Sequence, residues 1–175
     1  MPENGGMYME EKKCKRRSIR IKEYDYSQKG MYFITICTQG RKKILSTIDE
    51  WNDAVGADDS VRPELTKIGR IIKKCLKQIE YIYDNIKLDK YVIMPNHIHA
   101  IIIVREGGQS RPPLHKIIQG LKSVTTREYW KIGGIKLWQR NYYEHIIRDE
   151  KEYWKIYEYI EQNPMKWKLD EYYKD

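Results

Sequence analysis

Three cysteines in 175 residues, Cys14, Cys37 and Cys75, are odd in number and widely spaced. No CxxC pair exists, so neither a disulfide framework nor a cysteine-built zinc site is expected, and the thiol usage fits a cytoplasmic compartment. No apolar run reaches the length of a membrane span, and the N-terminus lacks a signal-peptide pattern, so no membrane partner is expected. A GxxxxGK[ST] phosphate loop is missing too, which removes the usual signature of a nucleotide cofactor. Phenylalanine occurs once, against 15 tyrosines and 5 tryptophans. Those rings pair a flat face with a polar tip, useful for stacking on bases as well as for packing.

What is abundant is positive charge. Lysine and arginine number 33 against 25 acids, a formal net charge of +8. Such an excess favours a polyanionic partner, because neutralising phosphates releases condensed counterions. The stretch KKCKRRSIRIK, residues 12–22, holds seven cations and no acid. It reads either as a disordered tail or as an arm, with Arg16 and Arg17, lying along a nucleic-acid backbone.

At this length one domain with its own core is expected, preceded by a loose tail over residues 1–15. MYFITICT (Met31 to Thr38) is β-branched and aromatic and predicts a first strand. Residues 46–62 break into polar and glycine positions, a loop whose Trp51 has no evident role. A helix is predicted from Pro63, with Leu65, Ile68, Ile72, Leu76 and Ile79 at helical spacing. LDKYVIM and HIHAIIIV predict two antiparallel strands joined by a tight PNH connection. A second helix follows from Leu114 to Tyr129, with Ile117, Ile118, Leu121 and Val124 on one side. IKLWQR predicts a short fourth strand, and Asp149 to Gln162 a third helix stopped by Asn163-Pro164. The order β-α-β-β-α-β then α implies an α+β fold: a ferredoxin-like split β-α-β antiparallel sheet plus an additional C-terminal helix.

Chemistry concentrates in MPNHIHAIIIV. Side chains at i and i+2 of a strand share a face about 6–7 Å apart, so His97 and His99 can converge on one ion while Ile98 turns away. The pair is expected near the sheet's edge, open to solvent and substrate. Two imidazoles leave a divalent ion short of ligands. On the last helix, Tyr153, Ile156, Tyr157 and Ile160 form the core face, whereas Tyr159 lies off it, with Asn163 about 40° further round. Glu152 falls on the same stripe. Pro164 is expected to push Asn163 out of helical geometry.

Five ordered blocks carry a more specific likeness: RRSIRIKEYDYSQKGMYFITICTQGRK, LDKYVIMPNHIHAIIIV, LKSVTTREYW, LWQRNYYEHIIRDEKEY and YEYIEQNPMKW. Together they resemble the single-tyrosine HUH transposases, and within them the REP-associated tyrosine transposases and their bacterial relatives. The resemblance implies a metal bound by His97 and His99, with Tyr159 as nucleophile and the side-chain amide of Asn163 completing the shell. It further implies a single-stranded or hairpin DNA substrate, a 5′-phosphotyrosine intermediate that permits rejoining without ATP, and a homodimer. An oxygen-friendly ion, Mg²⁺ or Mn²⁺, suits that chemistry better than Zn²⁺.

Charge and position make Lys122, Ser123, Thr126, Arg127, Gln139 and Arg140 candidates for phosphate and base contacts, against the plainer reading of a solvated helix face. His145 is expected first as a hydrogen-bonded structural residue, with contact to DNA or positioning of Tyr159 as the alternatives. Tyr142 and Tyr143 rival Tyr159 by chemistry, but neither has an amide four residues on. Two other classes stay open at this point: a non-catalytic ferredoxin-like module binding single-stranded nucleic acid, and a metal phosphodiesterase in which water attacks.

Overall fold

The computed structural model describes residues 28–48, 62–106 and 112–173. The basic segment 12–22, with Arg16 and Arg17, and Trp51 lie outside them. Strand β1 is Gly30–Cys37, two short strands β2 (Ser46–Thr47) and β3 (Glu64–Leu65) pair with each other, and helix α1 is Lys67–Ile82. Strands β4 (Ile86–Ile93) and β5 (His97–Val104), helix α2 (Leu114–Lys131), strand β6 (Tyr143–Ile147) and helix α3 (Glu150–Gln162) follow.

The main sheet runs β4-β5-β1-β6 with every neighbouring pair antiparallel. Its alternation sorts side chains into two cores. Tyr32, Ile34, Ile36, Ile98, Ala100 and Ile102 face α1 and α2, which answer with Ile68, Ile72, Leu76 and Ile79 and with Leu114, Ile117, Ile118 and Leu121. Each such buried aliphatic side chain contributes about 1.5–3 kcal/mol. On the opposite face Phe33, Ile101 and Ile147 meet Ile160 of α3, with Tyr153, Ile156 and Tyr157 packed around them. The α+β split β-α-β sheet and its extra terminal helix are therefore as expected, and α3 covers the face that α1 and α2 leave open.

Three local expectations are corrected. The first helix begins at Lys67, not Pro63, because Glu64–Leu65 pair with Ser46–Thr47 and Thr66 caps the helix by accepting from Gly69 N at 3.1 Å. Leu65 thus belongs to a strand. IKLWQR is not a sheet strand: only Trp138 bridges, to Thr38, and the sheet's fourth strand is Tyr143–Ile147. Trp138 is buried and its indole N–H donates to Thr125 Oγ1 at 2.8 Å, so this segment is pinned to α2. Thr125 accordingly turns inward on α2 while Val124 is exposed.

The turn before β5 is tied down from several directions. Met94 N donates to His97 O, Leu45 N to Pro95 O and Thr38 N to Asn96 O, each at 2.9 Å. Buried Leu45 in turn lies against α1 at Gly69, where an added Cβ would come 2.0 Å from the Leu45 carbonyl oxygen. That close approach requires glycine.

Candidate active site and nucleic-acid groove

His97 and His99 leave β5 toward α3, their ring centroids 4.4 Å apart. They are not at an open edge: β5 lies between β4 and β1, and the two rings are 0% and 1% exposed. Antiparallel register sets Thr35 opposite His99, and Thr35 Oγ1 meets His99 Nδ1 at 2.8 Å. His97 Nδ1 meets Asn96 Oδ1, also at 2.8 Å. Asn96 Nδ2 donates to the carbonyls of Arg41 and Tyr172, which leaves Oδ1 as the acceptor and puts the proton of His97 on Nδ1. The lone pair of His97 therefore sits on Nε2, which is buried and has no hydrogen-bond partner among the described residues.

Burial holds both imidazoles neutral. The pKa of His99 is brought down to about 3 by desolvation, and that of His97 well below 6.5 by desolvation, then by the adjacent His99 ring and the Arg41 guanidinium. Neutral rings oriented through Nδ1 are what metal-ligating histidines require. Ligand atoms of His97, His99 and Asp170 all lie within 4.8 Å of one another. The orphaned Nε2 and the adjacent carboxylate make this donor set fit a divalent cation. Sequence reading missed Asp170, since KLDEYY lies beyond the helix with no fixed spacing to the histidine motif.

Tyr159 projects from α3 with 41% of its surface exposed, and its hydroxyl lies 3.3 Å from His99 Nε2. Phe33 buttresses the ring edge-on at 6.1 Å. Burial, then the nearby carboxylates of Asp170 and Glu171, push the phenol up to about 12, with the Asn163 amide acting the other way. Asn163 ends the helix at φ −56 and ψ −41, so Pro164 does not displace it from helical geometry as expected. Its Nδ2 donates to Asp170 Oδ2 at 2.6 Å, whereas its buried Oδ1 lacks a partner among the described residues. His99, Tyr159, Asn163, Asp170 and Tyr143 line one cavity of about 630 Å³.

His145 and Glu152 pair with each other at 2.6 Å, and Glu152 also accepts from Arg148 N at 2.8 Å. His145 has the structural hydrogen bond expected of it. Tyr142 donates to Glu144 at 2.6 Å, whereas Tyr143 is 46% exposed at the cavity wall.

A second concavity of about 1270 Å³ runs between α2 and residues 135–144, and Lys122, Ser123, Thr126, Arg127, Gln139 and Arg140 all line it. Lys122 Nζ donates to the carbonyls of Gln139 at 2.7 Å and Arg140 at 3.0 Å, so its ammonium fixes the far wall of the groove. Arg127 and Arg140 are exposed. The edge strand β6 separates the two concavities, with Tyr142 and Glu144 lining the groove and Tyr143 the cavity.

A four-stranded antiparallel sheet with an HxH strand, and a tyrosine helix laid across its histidine face, is the architecture of a single-tyrosine HUH transposase. Over residues 26–163 the sequence matches the family described as "Transposase IS200 like", and the chain belongs to that family. An uncharacterised protein of Haemophilus influenzae is 37% identical over 179 residues, 91% of this chain and 94% of that one. A REP-associated tyrosine transposase of Escherichia coli is 28% identical over 81 residues, 46% of this chain and 45% of its own. The fold is shared with a solved REP-associated tyrosine transposase bound to a REP hairpin, at a TM-score of 0.59 and 21% identity, covering 84% of this chain and 73% of that one. Among the described residues no helix is long and apolar enough to cross a membrane.

Proposed function

We propose that this transposase nicks and rejoins single-stranded DNA, presented by a hairpin, through a covalent bond to Tyr159. The observation that carries the reading is the 3.3 Å separation between the Tyr159 hydroxyl and His99 Nε2, at the place where the HxH motif presents its lone pairs. His97 and His99 would hold a divalent ion, Mg²⁺ or Mn²⁺, and Asn163, whose buried Oδ1 has no partner among the described residues, lines the adjoining cavity with His99. Bound there, such an ion supplies positive charge against the scissile phosphate.

The chain's own groups do the rest. Tyr159 is protonated at neutral pH, since its pKa stands near 12, so its proton leaves to water as the phenol oxygen bonds to phosphorus. The bond from phosphorus to the 3′ oxygen breaks, and that oxygen takes up a proton. The products are a 5′-phosphotyrosine and a free 3′-hydroxyl. Attack by a second 3′-hydroxyl on the phosphotyrosine reverses the exchange and conserves the ester. Phe33 keeps the ring upright.

Arg127, Arg140, Ser123, Thr126 and Gln139 contact phosphates and bases in the α2 groove, while Lys122 holds its wall. DNA leaving that groove reaches Tyr159 by passing the β6 edge. The test is incubation of the full chain with labelled hairpin DNA and Mn²⁺, followed by denaturing electrophoresis. Wild type should give a covalent protein–DNA band, and Tyr159→Phe should lose it while keeping DNA affinity. Cleavage by Tyr159→Phe at the wild-type rate would assign attack to water or to another tyrosine.

A further inference from the structure

The residues after Pro164 are not a loose end. A short 3₁₀ turn, Trp167–Leu169, brings the chain back beneath the histidines. The segment that follows is fastened on three sides. Arg41 Nη1 donates to Glu171 O at 2.9 Å, and Asn96 Nδ2 donates to Tyr172 O at 2.8 Å. The Arg41 guanidinium also lies 4.6 Å from the centre of the Tyr172 ring, which itself sits 4.7 Å from the His97 ring. Asn96 is thus shared: one end of its amide sets the tautomer of His97 and the other holds the C-terminal segment.

This return places Asp170 among the ligand atoms. Its carboxylate accepts from Asn163 Nδ2 and from Tyr172 N, both at 2.6 Å. Neither donor cancels its charge, and within 4.8 Å lie the two imidazoles, of which His97 offers a buried Nε2 with no partner among the described residues. Two neutral imidazoles and an amide bring no negative charge to a divalent ion. One carboxylate does, and a two-histidine, one-carboxylate set favours Mn²⁺ over Mg²⁺, which prefers oxygen ligands throughout.

Resting on the metal reading above, we propose that Asp170 is the anionic ligand of the ion and that Asn163 is its positioning residue. Loading of the metal and seating of the 167–172 segment are then one equilibrium. Opening that segment would remove a ligand, so bound metal must oppose opening.

Both halves are measurable without turnover. Mn²⁺ is titrated calorimetrically into the chelator-stripped full chain and its variants. Asp170→Asn keeps the shape but not the charge, and should weaken Mn²⁺ binding by about a hundredfold. Asn163→Ala should weaken it by about tenfold, the low end for an orienting partner. Unchanged affinity in Asp170→Asn, or a larger loss in Asn163→Ala, overturns the assignment. Unchanged affinity in His97→Ala would instead sink the metal reading itself. The second readout needs only wild type: trypsin cleavage after exposed Lys166 and Lys168. With Mn²⁺ at about a hundred times its dissociation constant, cleavage should slow by about a hundredfold. Cleavage at the same rate with and without Mn²⁺ overturns the coupling.

Discussion

Burying two histidines as neutral rings makes the metal-free protein acid-sensitive in a defined window. In the folded chain His99 has a pKa of about 3, against 6.5 when unfolded. Below pH 6.5 the unfolded chain therefore binds a proton that the folded chain refuses, and stability falls as pH falls. The slope is about 1.4 kcal/mol per pH unit, so His99 alone removes about 2 kcal/mol between pH 6.5 and pH 5. His97 is shifted in the same direction and adds to the loss. For a chain of this size the His99 share corresponds to a Tm lower by about 4–8 °C. Asp89 does not contribute here: despite its burial, hydrogen bonds from Lys87 and Tyr153 hold it below 3.8, so its stabilisation is lost only at lower pH. Urea unfolding followed by tryptophan fluorescence, in chelator, at about pH 7.5 and about pH 5, reads the difference. Replacing both rings, His97→Gln with His99→Gln, should flatten the dependence across that window. Equal stability of wild type at the two pH values, or an unchanged slope in the double variant, would refute the reasoning.

Two further outcomes follow from the same geometry. Gly69→Ala drives a Cβ to 2.0 Å from the Leu45 carbonyl oxygen and should cost about 3 kcal/mol or more by urea unfolding; a loss below about 1 kcal/mol would mean that α1 shifts freely. Arg127→Ala and Arg140→Ala, on opposite walls of the α2 groove, should each lower the salt dependence of DNA binding by about one unit of log–log slope. Wild-type slopes in both would remove DNA from the groove.

Much of this molecule is written in local periodicity. The i, i+2 spacing of His97 and His99 fixes their common face, and four residues of helix place Tyr159 and Asn163 on one stripe, so those positions could be read directly. Thr66 and Trp138 show where such reading fails. Pro63 and Glu64 carry helix-start chemistry, yet pairing of Glu64–Leu65 with Ser46–Thr47 keeps the chain extended there until Thr66 supplies the cap. IKLWQR has strand-like alternation, but it meets the sheet only at the Trp138–Thr38 bridge, while the bond from Trp138 to Thr125 ties it to α2. Asp170 was illegible for a different reason. Its place beside the histidines depends on anchors at Arg41, Asn96 and Asn163, residues far apart in the chain that only the fold assembles.

The most direct measurement is the identity of the residue that carries DNA. Full-length protein is trapped with hairpin DNA and Mn²⁺, digested, and its nucleotide-bearing peptide sequenced by mass spectrometry. The 5′-phosphonucleotide should sit on Tyr159, the phenol that meets His99 Nε2 at 3.3 Å. Finding it on Tyr143, at the wall of the same cavity, or on Tyr142 would contradict the shared-cation geometry from which the mechanism is built.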